Sequence, residues 1–491
     1  MTSEIVLTTP EHIKSVFRDS DKHFKAVDNN SGFFMHEILG QCVGLISGAK
    51  WKAVKTAVEI PFIHQNIRNH VSSVQRHTKE YFKVLEGKGN LSKRKLDPVA
   101  DIKMLPFWII VDIIYGGLSP GMEAQLCKLA PQREELFKFV IHGGLTRFWF
   151  SRLLPLKANK ELKAFKHDWK AFNDSAYRHA LELGIKTPFV SMHHAIERGE
   201  ISEDQLLQTL DEMIFANLDV TMGGISWNLV FLAANPHIQD QLRDEIGEQR
   251  SLAAIDVEKF NNYLVSSSSL LAACVLESAR LKPLAAFSVP QAAPTDRIID
   301  GYRIPALTNF LVDTCALNIT NPFWGPDSTI YRPGRFLERK GPELRYNYWR
   351  FGFGPRQCMG KYVADLIIHS ILVHTLENYT LRTEATAEDW KWVMDTWINN
   401  PDIILHCEAR KKSMKSFKNL TIVYYSPIIA ANIYVRLSAL CCKESFGGYI
   451  GRILHGMYES SWPVIYATAE SAQVLSEWAQ AQDRGGSLLM R

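Results

Sequence analysis

The chain has 491 residues, 46% hydrophobic and 22% charged, and its 56 Lys and Arg against 52 Asp and Glu leave a net charge of +4. These are globular proportions, which exclude a disordered tail protein, a collagen and a coiled coil; so small a charge excludes a nucleic-acid partner held through phosphate contacts. Cysteines at 42, 127, 274, 315, 358, 407, 441 and 442 show no spaced framework and no CxxC pair, which points to a reducing compartment.

The opening segment, Met1 to Pro10, has no charged stretch leading into an apolar one, so no signal peptide or N-terminal anchor is visible. The longest apolar runs, Met104 to Val111 and Leu420 to Val435, fall short of the roughly 20 residues a spanning helix needs. Most of residues 11 to 280 read as helix, because apolar side chains recur at three and four while Pro and Gly fall between segments. The clearest helix starts at Ser202, where Ser202-Glu-Asp-Gln205 has capping-box spacing, and runs unbroken to Ala234 before Asn235-Pro236. A second begins near Pro236, and a third spans Ser266 to Leu281, stopped by Pro283. From Phe287 to Val312, Pro, Gly and β-branched residues predict a small sheet lobe. Asn318 to Arg356 is a long aperiodic stretch, and such a segment inside a domain is usually functional. Basic residues between Arg410 and Lys418 precede an apolar tail with different texture, which predicts a folded domain over 1–411 and an extension of unknown fold over 412–491. The fold class expected is mainly α with a small β lobe (α+β).

Chemistry concentrates in Phe351-Gly-Phe-Gly354-Pro-Arg356-Gln-Cys358-Met-Gly360, ahead of the run Tyr362 to Leu376. A cysteine just before a helix meets free N–H groups and the positive end of the dipole, which favour the thiolate that soft metal ligation needs. The glycines let the backbone turn tightly and approach a flat cofactor, and Arg356 can pair with a carboxylate. The alternative is an inert buried cysteine at a helix start.

These residues resemble the cysteine-ligand loop of the cytochrome P-450 superfamily, the heme-thiolate monooxygenases. The resemblance implies a P-450 fold with a long central helix over heme b, Cys358 as the metal ligand, Arg356 on a heme propionate, and Phe351, Gly354 and Gly360 shaping the cofactor loop. Three further matches follow in chain order. Trp51-Lys-Ala-Val-Lys55 resembles the family's Trp-x-x-x-Arg helix, with Lys55 in place of the arginine that contacts a propionate, a change that keeps charge but loses the bidentate fork. Ala216-Asn-Leu-Asp219-Val-Thr221 resembles the oxygen-binding segment, which implies catalytic roles for Thr221 and Asp219 in proton delivery; Asn217 stands where the family has glycine and is a third candidate. Thr221 and Asp219 lie roughly 200° apart around a helix, so both can face one site only if the helix opens locally. Glu277-Ser-Ala-Arg280, by itself an ordinary surface pair, would with Arg335 of Tyr331-Arg-Pro-Gly-Arg335-Phe336 form the family's buried structural triad.

By the same resemblance the enzyme takes electrons from NADPH through NADPH-cytochrome P-450 reductase and hydroxylates or epoxidises an apolar or aromatic small molecule, in fungal secondary metabolism of the mycotoxin type. Oxidative coupling or rearrangement, and non-catalytic heme binding, are the alternatives. Pocket walls are expected at Phe33 to Ile46, Ile214 to Leu218, Leu284 to Pro290 and near Trp397. The cytosolic face of the endoplasmic reticulum is the expected location, or the cytoplasm for a chain without an anchor; the two ends read as an incomplete or misjoined gene, with a genuine soluble variant as the alternative. Gly143 to Lys157, aromatic and basic, is a candidate for peripheral membrane contact, against an ordinary helix connection. His23, His64, His142, His193 and His194 lack metal-ligand spacing and are expected at the surface.

Overall fold

Helices form where apolar residues recur at three and four, and the most apolar of them, Met104–Tyr115, buries nine side chains, eight of them in the main core. Each such Leu, Ile or Phe contributes about 1.5–3 kcal/mol by leaving water. The structure is a computed structural model and describes residues 4–25, 32–339, 341–386, 390 and 398–410, which lie in one unit, Met1–Arg410. The extension expected over 412–491, the apolar run Leu420 to Val435 and the pocket residue Trp397 lie outside the described residues.

The helix expected from Ser202 to Ala234 is two helices. Its start is as predicted: Ser202 accepts from the Gln205 amide while the Gln205 side chain accepts from the Ser202 amide, a complete capping box. Helix Glu203–Phe215 then passes into a 3₁₀ turn, Ala216–Leu218, and α-helix resumes over Val220–Ala234. Asn217 sits at the break, where its Nδ2 donates back to the carbonyls of Met213 at 2.5 Å and Ile214 at 3.5 Å. A side-chain amide that competes for backbone acceptors in this way favours a break. The next helix, Pro236–Ala253, starts where expected. The third starts four residues late, at Leu270, because Ser269 caps it and Glu245 accepts from the amides of Leu270 and Leu271.

The strands among the described residues are β1 Glu4–Leu7, β2 Phe24–Lys25, β3 Lys95–Leu96, β4 Gln291–Ala292, β5 Arg297–Ile299, β6 Tyr302–Ile304, β7 Asn309–Val312, β8 Tyr379–Arg382 and β9 Leu405–Ala409. The predicted lobe supplies β4 to β7, but its largest sheet has the order β1-β7-β4-β2, with β1 parallel to β7 in the register Glu4↔Asn309. Lys25 pairs with Gln291 across β2 and β4. A third sheet, β3-β9-β8, packs beside the helix Val220–Ala234. Two-residue strands carry no alternation to detect, which is why β2 and β3 went unpredicted.

Candidate active site

Cys358 lies at the end of a tight loop, three residues before helix Lys361–Asn378. Its amide donates to the Phe351 carbonyl at 2.8 Å, closing the loop on itself. Gly352 and Gly354 hold φ of +87° and +66°, a region that side chains resist. Gly354 also has no room to change: a Cβ there would come 2.2 Å from Ser20 Oγ, which donates to the Phe353 carbonyl at 3.2 Å. The Arg350 guanidinium lies over the Phe351 ring at 4.4 Å and pairs with Asp365 of the following helix at 2.6 Å.

The same loop is tied to a buried cluster behind it. Glu277, Arg280 and Arg335 are all 0% exposed, which removes Glu277 and Arg280 from the surface-pair reading. Glu277 accepts from Arg280 Nε and Nη2 at 2.7 and 2.9 Å and from Arg335 Nε at 2.9 Å. Arg280 Nη1 donates to the Asn318 carbonyl, and the Asn318 side chain in turn donates to the Trp349 carbonyl and accepts the Trp349 amide, each at 2.7 Å. The three residues therefore anchor the strand of chain that enters the cysteine loop.

The Cys358 side chain borders accessible space, but that space is ringed by protein. Desolvation pushes the thiol up, outweighing the Gly360 amide and the positive charges of Lys25 and Arg350, while Glu212 acts in the same direction as burial. Burial thus works against the helix-start argument, while a metal deprotonates a coordinating thiol outright. Among the described residues no group of three His, Cys, Asp or Glu comes together as a metal site.

The surroundings fit an anionic, flat cofactor such as heme. Arg356 is 95% buried, stacks over the Trp51 ring at 4.5 Å and donates from Nη2 to the Ile46 carbonyl at 2.8 Å, yet its buried Nη1 has no partner. Burial lowers its pKa to about 10, so the guanidinium stays charged. Lys25 is drawn down by burial and by Arg356, so two cations share this corner, with the Glu212 carboxylate and Cys42 near both. A bare buried guanidinium nitrogen beside a second cation is what a propionate carboxylate would satisfy. Trp51 and Arg356 are brought together as the resemblance implies, whereas Lys55 pairs with Glu59 of its own helix.

On the broken helix, Thr221 is buried at 8% exposure and its hydroxyl donates to Asn217 Oδ1 at 2.6 Å, whereas its neighbour Val220 is 41% exposed. The open surface of this stretch is formed by Ala216 and Val220, four apart, with half-buried Glu212 four residues earlier. Asp219 is half-buried, and desolvation together with the Glu134 charge raises its pKa. Glu134 pairs with Lys103, and Arg133 pairs with Asp211 at 2.6 Å, so Asp219 borders a charged cluster. Val220, Glu212 and Lys25 escaped sequence reasoning; the spacing 212, 216, 220 was the available signal for the first two. His64 and His142 are exposed and His193 and His194 half-buried, but His23 is 1% exposed, packed on Phe17, which corrects its surface assignment.

Comparison with known proteins gives a consistent result. The profile of the family described as Cytochrome P450 matches residues 1–399. The chain is 51% identical over 415 residues to cytochrome P450 monooxygenase aclC of Aspergillus oryzae, covering 84% of each chain. It is 47% identical over 410 residues to cytochrome P450 monooxygenase asaD of Aspergillus flavus, covering 84% of this chain and 79% of that one. Among solved structures, a zebra fish cytochrome P450 with progesterone superposes with TM-score 0.65 at 16% identity, over 83% of this chain and 94% of that one, a likeness of fold.

Proposed function

The chain belongs to the cytochrome P450 family and is a monooxygenase, and on that premise we propose that Cys358 is the thiolate through which it holds heme b. When bound, the heme supplies reductive activation of dioxygen, chemistry that no side chain offers, and thiolate ligation favours O–O cleavage. The loop closed by Cys358 N–H on Phe351 fixes the sulfur, and Arg350 beside Phe351 adds a positive charge behind it. Arg356 Nη1, with Trp51 at its back, takes one propionate. That unpaired nitrogen, two residues from Cys358, is the observation that carries the reading.

Across from the loop, Ala216 and Val220 present apolar surface that excludes water and admits an apolar or aromatic substrate. Asp219, its pKa raised, holds a proton more readily than an ordinary carboxyl and serves as the proton donor. Thr221 is held through its hydroxyl to Asn217, and the pair works as one hydrogen-bonded unit at the helix break. The products are hydroxylated or epoxidised small molecules of fungal secondary metabolism, in line with relatives from Aspergillus. Electrons come from NADPH through NADPH-cytochrome P450 reductase. The enzyme works at the cytosolic face of the endoplasmic reticulum, where Phe148, Trp149 and Leu153, 54%, 61% and 71% exposed, touch the bilayer. No described helix is long and apolar enough to cross a membrane.

The reduced, carbon monoxide-bound protein is expected to show the thiolate band and to turn over with NADPH and reductase. Cys358→Ser should abolish that band, because an alcohol does not ionise near neutral pH as a thiol can. A thiolate band in the serine variant overturns the ligand assignment.

A further inference from the structure

A row of aromatic rings starts at the cysteine loop and ends in the open. The Trp349 indole lies against Gly352, 3.8 Å from where a Cβ on that glycine would stand. Gly352 follows Phe351, whose carbonyl accepts the Cys358 amide. Asn318 holds the Trp349 backbone on both sides, accepting its amide and donating to its carbonyl at 2.7 Å each. From Trp349 the row passes to Phe353, with ring centres 4.9 Å apart, and from Phe353 to Tyr346 at 5.3 Å. Phe353 is buried, while Tyr346 is half-buried and lines a surface cleft with Arg345, Phe353 and Gln357. Tyr346 is held there against its preference. Its φ of +79° is a region that a bulky side chain resists, and such strain persists only where the surroundings impose it, most often at functional sites. The exposed Arg345 guanidinium lies 5.3 Å from the centre of the Tyr346 ring, which sets a positive charge at the cleft.

We propose that Trp349 and Tyr346 form an electron relay that drains oxidising power from the cysteine loop when a turnover finds no substrate, and that the cleft beside Arg345 admits the anionic reductant that restores Tyr346. The proposal rests on the reading above, that Cys358 holds a heme at which dioxygen is activated. Direction follows from the chemistry of the rings. Indole and phenol give up an electron to a strong oxidant but do not pass one on from a flavin, so this row is not the route of the reductase's electrons. Trp349 yields one electron toward the loop and is refilled by Tyr346, whose phenolic proton goes to water in the cleft. Phe353 is harder to oxidise and serves as the contact between them. An enediol such as ascorbate, drawn by the Arg345 charge, then returns one electron and one proton to Tyr346 and leaves as its own radical. Two rounds deliver two electrons, and with the two protons released they turn an unused oxygen atom into water.

The test challenges the heme-loaded, substrate-free protein with peracetic acid. Rapid-freeze electron paramagnetic resonance should show a tyrosyl radical. The signal should be lost in Tyr346→Phe, which removes one hydroxyl and keeps a ring against Phe353, and in Trp349→Phe, which breaks the row at its inner end. Ascorbate should slow bleaching of the heme band in the unaltered protein and give no protection in either variant, while Tyr346→Trp, an oxidisable ring at the same place, should regain it. Arg345→Ala should lose protection by ascorbate and keep protection by uncharged hydroquinone, a split that a merely structural lesion does not produce. A tyrosyl signal of full size in Tyr346→Phe overturns the relay, and so does one in Trp349→Phe. Loss of the signal with ascorbate protection intact overturns repair at the cleft. Failure of the heme-thiolate reading is distinguishable, since it removes the carbon monoxide thiolate band, whereas failure of the relay leaves that band in every variant.

Discussion

Two buried arginine sites lie within one segment of chain, and they are built to opposite rules. Behind the loop, each of the three guanidinium nitrogens of Arg280 and of Arg335 has an acceptor: Glu277 for both, Asn318 O for Arg280, and the carbonyls of Trp324, Asp327 and Ile330 for Arg335. In the site, Arg356 is almost as deeply buried but leaves Nη1 without a partner and lies near a second cation, Lys25. Burying a charge is tolerated when its hydrogen bonds are complete, and an incomplete set marks either strain or a place for a ligand. The saturated site holds chain to chain; under the proposed function the unsaturated one holds its charge ready for a propionate. Spacing in sequence does not distinguish them, since both belong to short Arg-containing motifs.

The contrast can be broken most severely at Glu277. Glu277→Ala takes from buried Arg280 its carboxylate partner and leaves Arg335 a single one, Asp327 at 3.4 Å, which should cost about 3–5 kcal/mol and bring down heme content with folded protein, read by urea denaturation and by the heme-to-protein absorbance ratio. Arg356→Ala should do something different. The fold is kept, because the lost guanidinium had only one protein acceptor among its terminal nitrogens, but heme affinity falls about tenfold to a hundredfold, as expected for charge-assisted bonds of about 1.5–3 kcal/mol. Heme transfer to apomyoglobin measures it, and an unchanged transfer rate would place the propionate elsewhere.

Smaller effects sharpen the comparison on the opposite wall. Asp219 acts as an acid only while protonated, and its raised pKa keeps it so to higher pH than an ordinary carboxyl; oxygen consumption should therefore fall as pH rises through that value. Asp219→Asn should slow consumption and flatten the profile. Thr221→Ala should lose about 0.5–1.5 kcal/mol with its bond to Asn217, keep heme, and divert electrons from product to peroxide; full coupling would leave Thr221 with a structural role alone. The smallest change is expected at Lys55, whose partner is Glu59 on its own helix, a part-exposed pair of the kind worth about 0.2–1 kcal/mol. Lys55→Ala should leave heme transfer within about twofold of the unaltered rate, the reverse of Arg356→Ala.

The cysteine loop stood out because it joins several residue types at fixed offsets; the i and i+3 spacing of Glu277 and Arg280 gave only their pairing, and their burial with Arg335 came from the family resemblance. Other features depend on facts that spacing does not carry. Whether Val220 or Thr221 meets the open side is a difference of one residue, about 100° of rotation, and the break at Asn217 resets that rotation. The late start of helix Leu270–Leu281 depends on Glu245, 25 residues away in sequence. The unpaired nitrogen of Arg356 is a property of its surroundings, set by Ile46, Trp51 and Lys25, which come from a loop, a helix and a strand.

The brace under the cysteine loop has a meaning in time. Ser20 meets Phe353 across 333 residues of sequence, and β1 cannot find its parallel partner β7 until residue 309 has been made. At about 5–20 residues per second of synthesis, the first strand waits roughly 15–60 s on the ribosome before its sheet can close. Parallel pairings of this separation also form slowly, because the chain between must be ordered first. The cysteine loop thus cannot be braced until residue 353 has been made, and nothing that depends on that brace can form earlier.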